Sequence, residues 1–139
     1  DTVEGWGEDG DGQSTVPSGL GSVKSIATSQ YHTCAIKADD SVQCWGSDSD
    51  GQSTVPSGLG SVKSVAAASY HTCAIKADDT VACWGYDGYG QSTVPVGLGS
   101  VKSVSAGGGY HTCAIKADDT VECWGWDSSG QSTVPAELQ

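Results

Sequence analysis

The side chains with the clearest chemistry in this sequence are six cysteines, which fall into three pairs of the same spacing. Near the amino terminus, Gly5-Trp6-Gly7 matches three later Cys-Trp-Gly motifs, but no upstream cysteine exists there, and glycine replaces the cysteine. This substitution favours one connectivity among the fifteen that six cysteines allow. The predicted disulfides join Cys34 to Cys44, Cys73 to Cys83 and Cys113 to Cys123.

Paired cysteines predict an oxidising compartment, because disulfides persist mainly outside the cytosol. The chain has no Phe or Met and only four Leu, so it cannot build a large conventional core. Three short disulfide loops, each worth about 2–3 kcal/mol, compensate for that lack. We therefore expect an extracellular, secreted protein, of which any signal peptide has been removed or lies outside these residues.

Two groups of residues raise the question of a metal. Three histidines at equivalent positions would lie roughly 10 Å apart in stacked sheets, too far to share one zinc ion, so we expect them to be structural. The acidic residues Glu8, Asp9 and Asp11 are a weak calcium candidate, because they lack the distal bidentate glutamate of a calcium loop. We expect no cofactor. The histidines are His32, His71 and His111.

Composition argues against several classes of function. The formal net charge is −11, with six lysines and no arginine, so a nucleic acid would be repelled. No apolar run is long enough to span a bilayer. The cysteines are expected to be oxidised, and no Ser–His–carboxylate constellation stands outside the repeating pattern, so the sequence predicts a protein that is not an enzyme.

Internal repetition organises the whole chain. The tryptophans Trp6, Trp45 and Trp84 are spaced by 39 residues, and the step to Trp124 is 40 because one glycine is added within residues 107–109. The sequence divides into a half repeat and three full repeats that form one continuous repeat domain. Their bounds are 1–22, 23–61, 62–100 and 101–139.

The first full repeat predicts four short strands, Val23–Ala27, Tyr31–Lys37, Ser41–Trp45 and Gln52–Val55, separated by turn residues. Pairing Cys34 with Cys44 sets the hairpin register and leaves a three-residue loop, whose last member, Asp40, should have a positive φ. Alternation places His32, Cys34 and Ile36 on one face of the sheet. Neither face is uniformly polar, as expected of sheets stacked between neighbours.

Three strings together resemble the repeat of the regulator of chromosome condensation superfamily. They are Tyr-His-Thr-Cys-Ala-Ile-Lys at 70–76, Val-Ala-Cys-Trp-Gly at 81–85 and Gly-Gln-Ser-Thr-Val-Pro at 90–95, and the likeness covers the chain. The chain also resembles the short-blade propellers of the β-lactamase inhibitory protein II type. The resemblance implies an all-β fold of tandem propeller-type blades with three or four antiparallel strands each. Three and a half repeats are too few to close a single-chain ring.

The loops that vary between repeats are predicted to share one rim of the stack, which makes this rim the candidate contact surface. Its anchors would be aromatic, because large rings with a polar handle dominate many interfaces and stack on sugars. Those outside the repeating pattern are Tyr86, Tyr89 and Trp126. A further set, which we also expect to pack between blades, is Tyr31, Tyr70 and Tyr110.

These features predict a secreted, non-enzymatic repeat protein that self-assembles into a ring or filament with a structural or adhesive role. Such a stack has an exposed sheet edge at each end, which favours a homo-oligomer or polymer. The alternative is an extracellular binding module, either a hydrolase inhibitor or a lectin, that binds a protein or glycan ligand through the rim aromatics.

Overall fold

The computed structural model describes all 139 residues and contains three separate three-stranded antiparallel sheets, one in each full repeat. Each sheet, which we call a blade, has its strands in chain order, and the blades do not close into a ring. This confirms the predicted all-β stack of tandem blades. The strands are β1 (Val23–Thr28), β2 (His32–Lys37), β3 (Val42–Gly46), β4 (Val62–Ala67), β5 (His71–Lys76), β6 (Val81–Gly85), β7 (Val101–Gly107), β8 (His111–Lys116) and β9 (Val121–Gly125).

The hairpin register is the predicted one. Cys34 lies opposite Cys44 and Ile36 opposite Val42, and the two cysteine Cα atoms are 4.0 Å apart. Close cross-strand pairs of this kind suit a disulfide. All three predicted disulfides are present and no cysteine is free.

The hairpin turn is built by its two aspartates. Asp40 has a φ of 68°, as predicted, and its carboxylate contacts Lys24 Nζ at 2.5 Å. Asp39 accepts a hydrogen bond from the main-chain nitrogen of Ser41 at 3.0 Å. The ion pair is about half exposed and therefore contributes at most about 1 kcal/mol.

The predicted fourth strand is wrong, because residues 52–55 form turns. The main-chain nitrogen of Gly51 donates to Asp48 and that of Thr54 donates to Gly51. The Asp48 carboxylate accepts from the main-chain nitrogen of Ser53 and, at 2.5 Å, from the hydroxyl of Thr54. These local bonds satisfy polar groups that a strand would pair with a neighbour. The connection to the next blade is thus a compact loop.

Apolar side chains from neighbouring blades meet between the sheets. Ile36 of the first blade is 2 % exposed and packs with Val62, Ala74 and Trp84 of the second repeat. The predicted face holding His32, Cys34 and Ile36 is therefore confirmed as a buried surface. Two similar clusters lie on either side of this one. One contains Leu20, Ala35 and Trp45, and the other contains Ile75, Leu98, Val101, Val104, Ala114 and Trp124.

A repeated polar network also joins the blades. The main-chain oxygen of Gln52 accepts from the Trp84 indole at 3.0 Å and from the Thr72 hydroxyl at 2.8 Å. His32 Nε2 of the preceding blade lies 2.7 Å from the same hydroxyl. His71, Thr112, Gln91 and Trp124 repeat the arrangement one blade later. The buried imidazoles of His32 and His71 thus each have a polar partner across a blade interface, as expected of structural histidines.

Residues 1–22 form no regular strand but follow the path of the later repeats. Val23 donates to the carbonyl of Asp1, as Val62 does to Asp40. Gly5 stands where the later repeats have a cysteine, and packing also favours glycine here. A Cβ at this position would collide with the main-chain oxygen of Ser14. The only helix is the 3-10 turn Ala136–Leu138, so no helix could cross a membrane.

Candidate functional site

The variable loops occupy one rim of the stack, as predicted. His32 lies opposite Gly46, so the loop that enters β2 and the loop that leaves β3 emerge at the same end of the blade. The main-chain nitrogen of Tyr86 donates to the carbonyl of Tyr70 at 2.8 Å, and that of Trp126 donates equally to Tyr110. This bond places each variable aromatic residue beside a repeating tyrosine. We call this end the aromatic rim.

All six predicted aromatic residues form one continuous cluster. The Tyr31 and Tyr70 ring centroids are 5.6 Å apart, and those of Tyr70 and Tyr110 are 5.4 Å apart. The repeating tyrosines therefore pack from blade to blade, as expected. Tyr89 meets Tyr110 edge-on, with ring centroids 5.4 Å apart, and lies tilted against Trp126, with centroids 5.6 Å apart. Trp126 and Tyr89 are the exposed members, at 37 % and 48 %.

The neighbouring main chain holds these rings in place. The main-chain nitrogen of Tyr89 donates to Gln91 Oε1, and Gln91 Nε2 donates to the carbonyl of Gly109 in the next blade at 3.1 Å. A Cβ on Gly109 would lie 2.7 Å from the Tyr70 ring, so only glycine permits this close approach. Gly109 thus has a positioning role that the repeat comparison did not assign.

Four of these tyrosines line an open surface cavity of about 260 Å³. The fifth residue in its wall is Asp50, from the loop that leaves β3 of the preceding blade. Sequence comparison missed Asp50 as a neighbour of the aromatic residues, because it belongs to another repeat and stands where the second full repeat has Tyr89. The tyrosines are Tyr70, Tyr86, Tyr89 and Tyr110.

Charge is divided between the two ends of the blades. All six lysines lie beside the hairpin turns, where three of them pair with aspartates. The aromatic rim carries only carboxylates among its exposed charged side chains. They belong to Glu8, Asp9, Asp11, Asp48, Asp50, Asp87 and Asp127.

The calcium candidate is not assembled into a ligand set. The Asp9 pKa lies below its ordinary value because the Thr15 hydroxyl and the main-chain nitrogen of Ser14 donate to its carboxylate. Glu8 Oε1 instead accepts from the main-chain nitrogen of Gly10. Asp48, Asp87 and Asp127 hold their loops in the same way as Asp9. No group of three or more His, Cys, Asp or Glu residues has a geometry that could hold a metal ion.

The fold and its rim loops define a repeat protein of propeller type. The family model for the regulator of chromosome condensation (RCC1) repeat matches residues 23–52, 62–91 and 101–131. The chain belongs to the RCC1 repeat family. Comparison with curated protein sequences finds no match.

Among solved structures, the chain resembles the ectodomain of the Physcomitrella patens receptor kinase CR4, with 30% identity and a TM-score of 0.68 over 83% of this chain. It also resembles the CRINKLY WD40 ectodomain of the Arabidopsis thaliana receptor kinase ACR4, with 28% identity and a TM-score of 0.62 over 78% of this chain. Yeast RCC1 (Prp20), solved bound to Kap60, shares the fold at 19% identity, with a TM-score of 0.73 over 86% of this chain. The chain spans 32%, 44% and 38% of these three proteins.

Proposed function

We propose that this protein is an extracellular, non-enzymatic binding module that contacts its partner through the aromatic rim. The observation that carries the proposal is the single cluster formed by six rim aromatic residues, three of which depart from the repeating sequence. Large amphipathic rings on rigid loops are typical anchors of binding surfaces. The disulfides and the similarity to two receptor ectodomains support an extracellular location.

This function can be tested by replacing two residues of the second full repeat with their equivalents in the first. In Tyr86→Ser/Tyr89→Asp, the loop takes the residues of Ser47 and Asp50, whose main chain makes the same bonds. We expect this variant to keep its melting temperature and to lose binding by at least roughly tenfold, because interface aromatic residues contribute strongly. The measurement is binding of both proteins to glycan and peptide arrays, with a β-lactamase inhibition assay alongside.

Val96→Ser is the control, since Val96 is fully exposed, lies outside the rim cluster and has serine as its equivalent in the first full repeat. Ligands that bind the double variant as well as the wild type would contradict the assignment of the rim. Complete absence of ligands from both arrays and from the inhibition assay would count against a binding module of this kind.

Self-assembly is a second candidate, favoured by the two ends of the stack. Ile36 and Ile75 are 2% and 3% exposed beneath the following blade, whereas the equivalent Ile115 is 42% exposed. At the other end, Ile26 is 45% and Trp6 is 85% exposed. The proposed assembly is a ring or filament with a structural or adhesive role, in which the β8 face of one copy packs on the first blade of another.

The inter-blade polar network supports the same pairing. Thr33 donates to the carbonyl of Gln13 but lacks the histidine partner that Thr72 and Thr112 have. In the proposed assembly, the imidazole of His111 on the β8 face of another copy would be this missing partner of Thr33. Residues 1–22 of the receiving copy would have to move aside for this contact, and no disulfide holds them.

Sedimentation velocity over a concentration series tests the assembly. We expect the wild type to associate, Val96→Ser to behave like it, and Ile115→Ser to shift towards a monomer, because Ile115, unlike Val96, lies on the β8 face. A wild-type chain that remains monomeric at every concentration would rule out this mode of assembly.

A further inference from the structure

The cavity in the aromatic rim has walls suited to a cation. The rings of Tyr86, Tyr89 and Tyr110 pack edge to face at interplanar angles of 67°, 74° and 79°, so the aromatic surfaces that line the cavity are not parallel. The face of an aromatic ring carries partial negative charge and attracts a positive group within about 6 Å. A cavity lined by several such rings therefore favours a cation even where its wall carries no negatively charged side chain.

The one charged residue in the wall adds to this preference. The Asp50 carboxylate accepts a hydrogen bond only from the Ser49 hydroxyl, at 3.3 Å. By contrast, both oxygens of the Asp48 carboxylate are used by the turn. Asp50 is also exposed, so its carboxylate is accessible to a ligand.

The surrounding field has the same sign. No lysine lies on the aromatic rim, since all six are at the hairpin end, and the chain has a formal net charge of −11. The pKa of Tyr31, which packs against Tyr70 on this rim, is raised chiefly by the Tyr70 hydroxyl and also by the negative charge of Asp11. An anionic ligand would be repelled from this end of the molecule, whereas a cation would be attracted.

The size of the cavity limits the ligand to a small group. Its volume of about 260 Å³ is slightly below the roughly 300–1,000 Å³ of pockets for drug-sized molecules. A primary ammonium ion is strongly hydrated, so burying it against rings costs more than burying an alkylated one. In an alkylated ammonium group, the methyl groups contact the apolar ring faces while the positive charge is attracted to them. A neutral sugar lacks this charge.

We propose that Tyr70, Tyr86, Tyr89, Tyr110 and Asp50 form an aromatic cage that binds an alkylated ammonium group, such as that of choline or trimethyllysine. This inference rests on the proposed function of the aromatic rim as the contact surface. It adds the chemistry of the group recognised there.

Paired ligands of equal shape provide the decisive test. Calorimetric or NMR titration at low salt compares choline with 3,3-dimethyl-1-butanol, in which carbon replaces the charged nitrogen. We expect choline to bind at least about tenfold more tightly, because cation–π attraction and Asp50 act only on the charged ligand. Equal binding of the two compounds would overturn the proposal, as would no binding of choline, trimethyllysine or tetramethylammonium to the wild-type protein.

Matched variants locate the site. Asp50→Asn and Asp11→Asn remove the same charge from equivalent positions of adjacent repeats, but only Asp50 lines the cavity. We expect choline affinity to fall by about fivefold in Asp50→Asn and by much less in Asp11→Asn. Tyr86→Ser/Tyr89→Asp should abolish choline binding. Unchanged affinity in this double variant would exclude the cage as the binding site.

Further titrations distinguish the two sources of the ammonium group. A peptide carrying trimethyllysine is compared with the same peptide carrying lysine, and choline with phosphocholine. Stronger binding of the methylated peptide than of choline indicates a modified protein, and the reverse indicates a choline-bearing molecule. If no ammonium compound binds while array ligands still depend on Tyr86 and Tyr89, the cage is wrong and the proposed function stands.

Discussion

Reduction of the three disulfides is expected to lower the free energy of unfolding by about 6–9 kcal/mol if their contributions add, because each closed loop is worth about 2–3 kcal/mol. A domain of this size has a total stability of only about 5–15 kcal/mol. Since the core is a set of small clusters between sheets, little else can compensate. The measurement is thermal melting with and without a phosphine reductant, with free thiols counted by mass spectrometry.

Two double variants separate the cross-link from the packing of its sulfur atoms. All three disulfides close loops with a sequence separation of 10, so the entropic effect is the same in each. Cys34 is fully buried, whereas Cys113 on the end blade is half-buried. Replacing Cys34 and Cys44 by alanine should therefore cost more than replacing Cys113 and Cys123. An unchanged melting temperature after complete reduction would show that the disulfides do not stabilise this fold.

The hairpins were predictable because their determinants are local. The spacing of Cys34 and Cys44 fixes the register, and the register fixes the length of the turn and the positive φ of Asp40. Because the sequence repeats, every full repeat is predicted to form the same hairpin. The common rim also follows from strand direction alone. The sequence therefore predicts which aromatic residues share this rim, and in the structure they are in contact.

Two features depended on contacts that the pattern of residues does not show. Residues 52–55 have the composition of an edge strand, but the Asp48 side chain reaches Ser53 and Thr54 and stabilises turns instead. The cavity brings Asp50 of one repeat to Tyr110, which lies two blades further along the stack. That proximity depends on how neighbouring blades are offset and twisted, which the sequence of a single repeat does not specify.

The buried histidines lead to a prediction about acid stability. Burial between blades lowers the pKa of His32 and of His71 to about 4, and each also faces the histidine of the following repeat. The hydrogen bond between His71 Nδ1 and the carbonyl of Gly109 opposes the shift of His71, and the nearby carboxylates Asp48 and Asp87 oppose both shifts, but they do not overcome the effect of burial. Both imidazoles are therefore neutral in the folded protein at pH 7, and each is satisfied there by a threonine hydroxyl.

The sign of the effect follows from proton binding. Between the ordinary histidine pKa of 6.5 and the folded value of about 4, the unfolded chain binds more protons than the folded one, so stability falls as pH falls. The loss is on the order of 3 kcal/mol for each histidine by about pH 4. The aspartates whose pKa is lowered from 3.8, among them Asp48 and Asp127, lose their contribution only at still lower pH. The two effects are thus separated in pH.

Urea unfolding at several pH values between 6.5 and about 4 measures this loss directly. His71→Gln removes one of the two titrating groups and should roughly halve the slope of unfolding free energy against pH, whatever its effect on stability at pH 7. Thr112→Val is the matched control, because it removes the hydroxyl that partners His71 but leaves both imidazoles buried and titratable. A slope that is flat in the wild type, or equal in His71→Gln and the wild type, would contradict the prediction. Since the same imidazoles bridge successive blades, their protonation should separate blades before it opens the disulfide-closed hairpins.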